Sequence, residues 1–552
     1  MRTVSVTPLR TRVVAVAAIV AAAAWFAWFA VYQVDDAFIV YRYAENLARG
    51  EGFVYNPGEP VEGVTCFLWA AILAPFAAAG VPLPWVAPIM TALCGLGILI
   101  LLPGFTGRLR QRNAGSERGA PSPGGGAAGA RSVPDGWNLA PAVLLAAHPT
   151  FAYWSVGALE AVPYALLIVL AMRDHMDELD RGHGRRSALW IGLATLLRPE
   201  APLIALAFAL DRMLPAEGGP SARPGGAAGS RFAAAAGWLG VVGLFFIPFL
   251  AFRRFYFGEW LPMTYYAKTG GDVIRQIDEG WKYTLRFMAQ VGPGFGETSP
   301  FTAVVGVLMV VVCLAHVLPR PRLRPAGLAI LAIAFAVLIE GGDWMVLHRF
   351  WVPGLVLLLP LLVVAGRDLA AQDRRLRPAV VACGALLLVS FVVGSVRARA
   401  GANGLAVNGA GYRYAHEAVG RYLLERGTPD DTVALMDIGI IGYVSGLRVF
   451  DITGLTEPSV AKSPGGFLRK DYPAELVLAR RPRFIVLVNG FTIDARIAAH
   501  PEFLRDYVPV FERNHQFNWT PPGDYTLRVF ERRDGISVKR PARSALHPQS
   551  PG

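Results

Sequence analysis

The run "VVAVAAIVAAAAWFAWFAVY" (13–32) holds twenty residues with no charge and no proline. A helix rises about 1.5 Å per residue, so a run of this length spans the roughly 30 Å hydrocarbon core of a bilayer. Similar blocks recur along the chain, separated by polar loops. Only 17% of the 552 residues are charged, against about 25% in a soluble domain. The pattern predicts a mostly α membrane protein with about eleven spans, near 13–33, 84–104, 138–152, 159–173, 187–197, 201–213, 234–252, 300–318, 326–340, 352–366 and 378–396. Several of these are shorter than a full span, so tilting, extension into flanking residues or breakage is expected.

Basic residues orient the blocks. Arg2, Arg10 and Arg12, "RLRQR" (108–112), 173–186, 211–231, "RPRLR" (320–324) and 367–377 all fall on one side if eleven spans alternate, and the positive-inside rule makes that side cytoplasmic. The segment "CFLWAAILAPFAAAG" (66–80) carries Pro75 and is short. A full crossing there would flip every later loop, so it reads as a juxtamembrane or re-entrant helix, with a twelfth span as the alternative. The first apolar run has no convincing small-residue cleavage site after it and reads as an uncleaved anchor. "NAGSERGAPSPGGGAAGARS" (113–132) reads as a solvated linker.

The net charge of +12 comes from arginines in these short loops, which is an orientation pattern and not a nucleic-acid footprint. Cys66, Cys94, Cys313 and Cys383 are far apart and form neither a metal spacing nor a disulfide framework. The sequence has no phosphate-binding glycine loop and no nucleophile elbow, which argues against a nucleotide-activated donor.

Beyond 397 the pattern changes. "GYRYAHEAVGRYLLERG" (411–427) predicts an amphipathic helix ended by Gly427, and "DTVALMDIG", "RFIVLVNG" and "YTLRVFERR" predict short strands. The expected organisation is a membrane part (1–396, with a first outer loop at 34–83), a soluble extracytoplasmic α/β domain (397–535) and a disordered tail (536–552).

The predicted outer loops hold the chemistry. "VDDAFIVYRYAENLARGEGFVYNPGEPVEGVT" (34–65) begins where the first apolar run ends. Asp35 is placed to cap a helix ending near Gly50, with Asp36 complementing its dipole; one acid would suffice for that. At helical spacing Asp35, Ile39, Arg42 and Asn46 share one face, and Asp36 and Tyr43 another. A carboxylate at this depth suits a general base acting on an acceptor hydroxyl, and cations suit the leaving phosphate of a lipid-linked substrate. Arg42, Arg198, Lys268, His348 and Arg349 are the basic candidates, with Glu200 and Asp343 as their acidic neighbours. Tyr153, Trp154, Tyr265 and Trp344 are candidates for stacking on a sugar, or members of an interfacial aromatic belt.

"DDAFIVYRYAENLARGEGFVYNPGEPVEGVTCFLW" resembles the first outer loop of GT-C glycosyltransferases. "YFGEWLPMTYYAK", "GGDWMVLHRFWVP" and "DIGIIGYVSGLRVFDITGL" resemble later motifs of its mycobacterial-type, terminal β cell-wall arabinofuranosyltransferase branch. The four motifs occur in order, and the resemblance covers about residues 10–535. It implies a GT-C-like multi-spanning bundle and a polyprenyl-phosphate sugar donor. It implies a glycan or lipid acceptor of the cell envelope and residence in a bacterial cytoplasmic membrane. It implies a catalytic role for Asp35, with Asp36 as partner. No cofactor is implied, although a divalent cation is compatible. The sugar is less constrained: arabinofuranose follows from the branch, and a mannosyl- or aminoarabinose-type transferase is the alternative. From a different class, a polysaccharide or lipid transporter would be expected to show inverted repeats and midplane-broken helices, and no repeat is evident.

Overall fold

The computed structural model describes residues 9–111, 136–214, 228–296, 298–401, 404–517 and 523–535. The predicted linker at 113–132, residues 215–227 of the basic loop at 211–231 and the predicted tail lie outside the described residues. The chain divides into two compact units.

The first unit comprises Met1–Ala30, Trp85–Phe249 and Ile274–Gly401. It is helical. Across the described residues of the chain, five helical stretches are long and apolar enough to cross a membrane: Leu83–Arg110, Gly229–Tyr256, Pro300–Val317, Arg349–Gln372 and one beginning at Arg374. The chain is thus a multi-pass membrane protein. Leu244, Ile247, Val304, Leu308, Val311 and Val312 are exposed, the kind of apolar surface that lipid covers. By contrast, residues 352–361 of the Val352–Gln372 helix are all buried, and this helix forms the centre of the unit.

One predicted span is broken, and two are short, as expected. The segment 138–152 forms the Gly136–Ala147 helix, an extended His148, and then Pro149–Trp154. Pro149 lacks an N–H and excludes His148 from helical conformation, which accounts for the break. Arg186–Thr195 and Ala201–Met213 are ten and thirteen residues long, each too short for a bilayer core alone, and the Arg198-Pro199-Glu200 turn separates them. At the opposite helix ends Arg108 pairs with Asp177 (2.8 Å), Arg322 with Asp180 (2.9 Å), Arg324 with Asp211 (2.6 Å) and Arg212 with Glu178. These contacts gather loops that the charge alternation predicts to share a side.

The second unit comprises Val31–Pro84, Leu250–Val273 and Ala402–Gly552. Compactness therefore groups the C-terminal residues with two earlier segments. Five strands form one mixed sheet: β1 (Thr432–Leu435), β2 (Arg448–Asp451), β3 (Phe484–Val488), β4 (Tyr507–Phe517) and β5 (Gly523–Arg532), in the order β2-β1-β3-β5-β4. β1 runs parallel to β2 and β3, with Val433 opposite Val449 and Phe484. β5 is antiparallel to β3 and β4, and a bulge interrupts the last pair between Pro509 and Phe511. The helix Leu405–Arg426 ends at Gly427 as predicted. The ambiguous apolar segment forms a helix, Phe67–Ala78. Its twelve residues rise about 18 Å, less than a bilayer core.

Candidate active site

In the second unit the polar centre is built on the helix Asp35–Ala48. Val34 is the cap of this helix, and Asp35 is its first residue. The expectation that Asp35 caps its own helix is therefore corrected: it caps another. Gly439 N–H donates to Asp35 Oδ2 (2.8 Å) and Ile440 N–H to Oδ1 (2.7 Å), at the start of the short helix Ile440–Ser445. Two turns along the same face, Arg42 closes the other end. Its Nη1 donates to Gly442 O (2.7 Å) and its Nη2 to Leu447 O (2.6 Å). Acid at the amino end and guanidinium at the carboxyl end match the helix dipole. Gly439 permits this approach, because a Cβ there would meet Asp35 itself.

Arg42 also donates to Tyr55 O (2.8 Å) and Asn56 Oδ1 (3.2 Å) and lies over the Tyr55 ring. Four acceptors thus occupy a group with five donors, which leaves little for a phosphate. Asn46 continues the face, donating to Val54 O and Tyr55 O (both 2.9 Å). Asp36 lies off this face and is half-buried.

Asp437, two residues before Gly439, faces the same region. His416 Nε2 lies 3.0 Å from Asp437 Oδ2, and Tyr525 OH donates to the same oxygen (2.6 Å). His416 Nδ1 is 2.7 Å from Tyr412 O. A carbonyl only accepts, so Nδ1 carries a proton. Burial, then the charge of Asp437, pushes the Asp35 carboxyl up to about 7; His416 and the Ile440 N–H oppose this, and Asp36 adds to it. Burial alone would lower His416, but its hydrogen bond to Asp437 and the charges of Asp437 and Asp35 raise it overall. Asp494 is also pushed up to about 7, by burial first and by Asp437 in part.

Lys268 ends the short helix Met263–Lys268, with its Nζ 5.6 Å from the Phe467 ring, and Tyr265 on that helix is 48% exposed. Two unpredicted groups fix this loop. Arg253 chelates Glu62 (2.5 and 3.0 Å), and Lys470 Nζ donates to Tyr266 O, Thr269 O and Ser463 O (2.8, 2.8 and 3.2 Å).

The remaining candidates converge in the first unit. Arg198 Nη1 donates to Glu160 (2.8 Å) and its Nε to Glu200 (2.7 Å), all three buried. Arg349 pairs with Asp343 at 2.9 Å and lies over Trp154 and Phe350. Leu347 and His348 both have positive φ (59° and 50°), a strained conformation for such residues. Trp154 Nε1 pins this segment by donating to Leu347 O (3.0 Å), and His348 Nδ1 lies 3.2 Å from Gln290 Oε1. Tyr153 and Trp154 are fully buried and contact each other, so their rings face protein; Trp344 is 41% exposed. Among the described residues no cluster of three or more His, Cys, Asp or Glu side chains is arranged to hold a metal.

Asp437, His416 and Tyr525 escaped the sequence reading as site residues. Asp437 opens the motif "DIGIIGYVSG", but nothing local in the sequence ties it to Asp35, some four hundred residues earlier.

Comparison with known proteins bears on the fold. Residues 405–530 match a profile described as "Domain of unknown function (DUF8728)". No curated protein sequence matches the chain. Among solved structures, apo ArnT from Cupriavidus metallidurans aligns over 96% of this chain and 99% of its own, with 12% identity and a TM-score of 0.52. ArnT bound to undecaprenyl phosphate aligns over 95% and 98%, with 12% identity and a TM-score of 0.49. The arabinofuranosyltransferase AftD from Mycobacteria aligns over 94% of this chain and 40% of its own, with 13% identity and a TM-score of 0.40. The end-to-end likeness to apo ArnT shows the architecture. The fold is of the GT-C type.

Proposed function

We propose that this chain is a membrane glycosyltransferase that moves a sugar, arabinofuranose, from a polyprenyl phosphate to a glycan or lipid acceptor at the outer face of a cytoplasmic membrane. The N-terminus is cytoplasmic in this reading, and the C-terminal residues 397–535 are extracytoplasmic and help to select the acceptor. Asp35 takes the proton of the acceptor hydroxyl as that oxygen bonds to the anomeric carbon. The bond from that carbon to the phosphate oxygen breaks, and polyprenyl phosphate leaves. This describes inversion; with retention Asp35 would instead be the nucleophile.

The observation that carries the reading is the setting of Asp35. It is a buried carboxyl in the first turn after the first apolar helix, and its affinity for a proton lies near neutrality, at about 7. A general base works best in that range. Asp36, half-buried beside it, is the partner acid. In the first unit Arg198, His348 and Arg349 are assigned to the donor, with Glu200 paired to Arg198 and Asp343 to Arg349; in the second, Lys268 is assigned to substrate and Arg42 holds Asp35's face. Tyr265 and Trp344, whose rings are partly open, are assigned to sugar stacking, and Tyr153 and Trp154 to the wall behind them.

The test is incubation of the purified protein with synthetic polyprenyl-phosphate sugars, reading release of polyprenyl phosphate. Release from the arabinofuranosyl donor is expected. Release from a mannosyl or aminoarabinosyl donor alone would keep the class and change the sugar, and no release from any donor would remove the proposal. Asp35→Asn should lower turnover by about 10²-fold or more.

A further inference from the structure

Asp35 receives both of its hydrogen bonds from residues 439 and 440, so the segment that opens with Asp437 wraps around its carboxylate. The other side of Asp437 is closed by His416 and Tyr525. His416 is wholly buried, and its Nδ1–H is spent on the Tyr412 carbonyl. Its contact with Asp437 through Nε2 therefore needs one further proton, either on that nitrogen or on the carboxyl.

We propose that His416 and Asp437 are positioning residues for Asp35: the three groups form one charge cluster that shares its protons, with His416 as the cation that Asp437 holds in place. This rests on the assignment of Asp35 as the base. The groups facing the cluster come from several elements. Asp36 adds a like charge from Asp35's own helix, and Asp494 adds one facing Asp437. His515, on β4, is lowered by burial first and by the charge of His416 in part. Tyr55, Tyr412 and Tyr525 are raised by burial and stay neutral across the working range. His416, whose proton affinity is raised overall, is the cation of the cluster, and its Nε2 lies 3.0 Å from Asp437 Oδ2.

The two neighbours act on Asp35 in opposite directions. Asp437 raises its proton affinity and His416 lowers it, and the effect of Asp437 is the larger. Removing His416's charge must therefore move the protonation midpoint of Asp35 to higher pH. Removing Asp437 must move it to lower pH, even if His416 then loses its own proton. A residue that merely supports the fold would weaken activity at every pH and would not produce shifts of opposite sign.

The experiment uses the full chain in lipid nanodiscs. The infrared band of the protonated carboxyl that Asp35→Asn abolishes is titrated without substrate, and transfer is measured across pH in parallel. His416→Gln should raise the band's midpoint by about 1 pH unit and Asp437→Asn should lower it by a similar amount, the lower range for a nearby charge. Tyr525→Phe keeps the ring but leaves the Asp437 charge one donor short, so it should raise the midpoint by less than His416→Gln does; if the Asp437 variant does not fold, an unmoved midpoint in these two variants overturns the inference. The acid limb of the transfer profile should follow the band. A midpoint that is unmoved, or that moves the same way in both variants, overturns the inference. Opposite band shifts without transfer in any protein would leave the cluster standing and remove the proposed function instead.

Discussion

Around Arg198 in the first unit the buried carboxylates of Glu160 and Glu200 bond a guanidinium directly, whereas Asp35 in the second unit accepts from backbone N–H groups. Glu160 and Glu200 share Arg198, and Asp343 has Arg349. Asp35 has two backbone N–H groups, and Asp437 has a histidine and a tyrosine. Buried pairs with full partners fix a shape, because removing either partner strands a charge. Buried carboxylates without a dedicated cation hold a proton instead, and their charge follows pH. The cluster around Arg198 is therefore built for rigidity, and the cluster around Asp35 for a carboxyl whose charge follows pH.

The comparison is tested hardest at Arg198. Arg198→Ala leaves Glu160 and Glu200 buried and unpaired. It should cost about 3–5 kcal/mol, the range for breaking a buried pair, read as a lowered unfolding midpoint in detergent. Asp35→Asn, which removes a carboxylate charge that is unfavourable in the folded state, should not lower the midpoint at neutral pH. If the two variants behave alike, the contrast between the units fails.

The next effect depends on pH. Folded Asp35 keeps its proton up to about 7, while the unfolded chain releases it near 3.8. The unfolded state thus binds fewer protons between these values, and stability falls as pH rises through that window. The wild type should lose stability relative to Asp35→Asn from about pH 4 to about pH 7 and hold a constant difference above it. A flat difference would show that Asp35 ionises inside the folded protein as readily as outside it.

These contrasts bear on what the sequence made legible. Apolar blocks are local, so 84–104, 234–252, 352–366 and 378–396 coincide with long helices. The charged Arg198-Pro199-Glu200 turn was legible and divides 187–197 from 201–213 as expected, whereas the break at Pro149 was harder to see, because apolar composition continues across it. Three strands were visible from β-branched runs, but β2 has four residues and β4 carries Pro509 and several polar residues, as edge strands often do. Asp35 stood out because two acids beside a span are costly. The face shared by Asp35, Arg42 and Asn46 was legible from helical spacing, although its target, the Ile440–Ser445 helix, was not. Charge pairing across hundreds of residues, as between Glu62 and Arg253, leaves no local trace.

The smallest effect is the most discriminating for the first unit. Trp154→Phe keeps a buried ring and removes one hydrogen bond, from Nε1 to Leu347 O. That bond should contribute about 1 kcal/mol, so the unfolding midpoint should drop only slightly. Leu347 and His348 are held at positive φ, and Trp154 is the side chain that ties this strained pair to the Pro149–Trp154 helix. Loosening it should let His348 and Arg349 wander from the positions assigned to the donor. The expected signature is a higher KM for the polyprenyl-phosphate sugar, with turnover at saturation nearly unchanged, because uniform binding is lost and the base is untouched. Asp35→Asn should give the opposite split. A fall in turnover without a change in KM for Trp154→Phe would mean that the paired cluster of the first unit takes part in the chemical step, and the division between rigid and proton-bearing clusters would have to be redrawn.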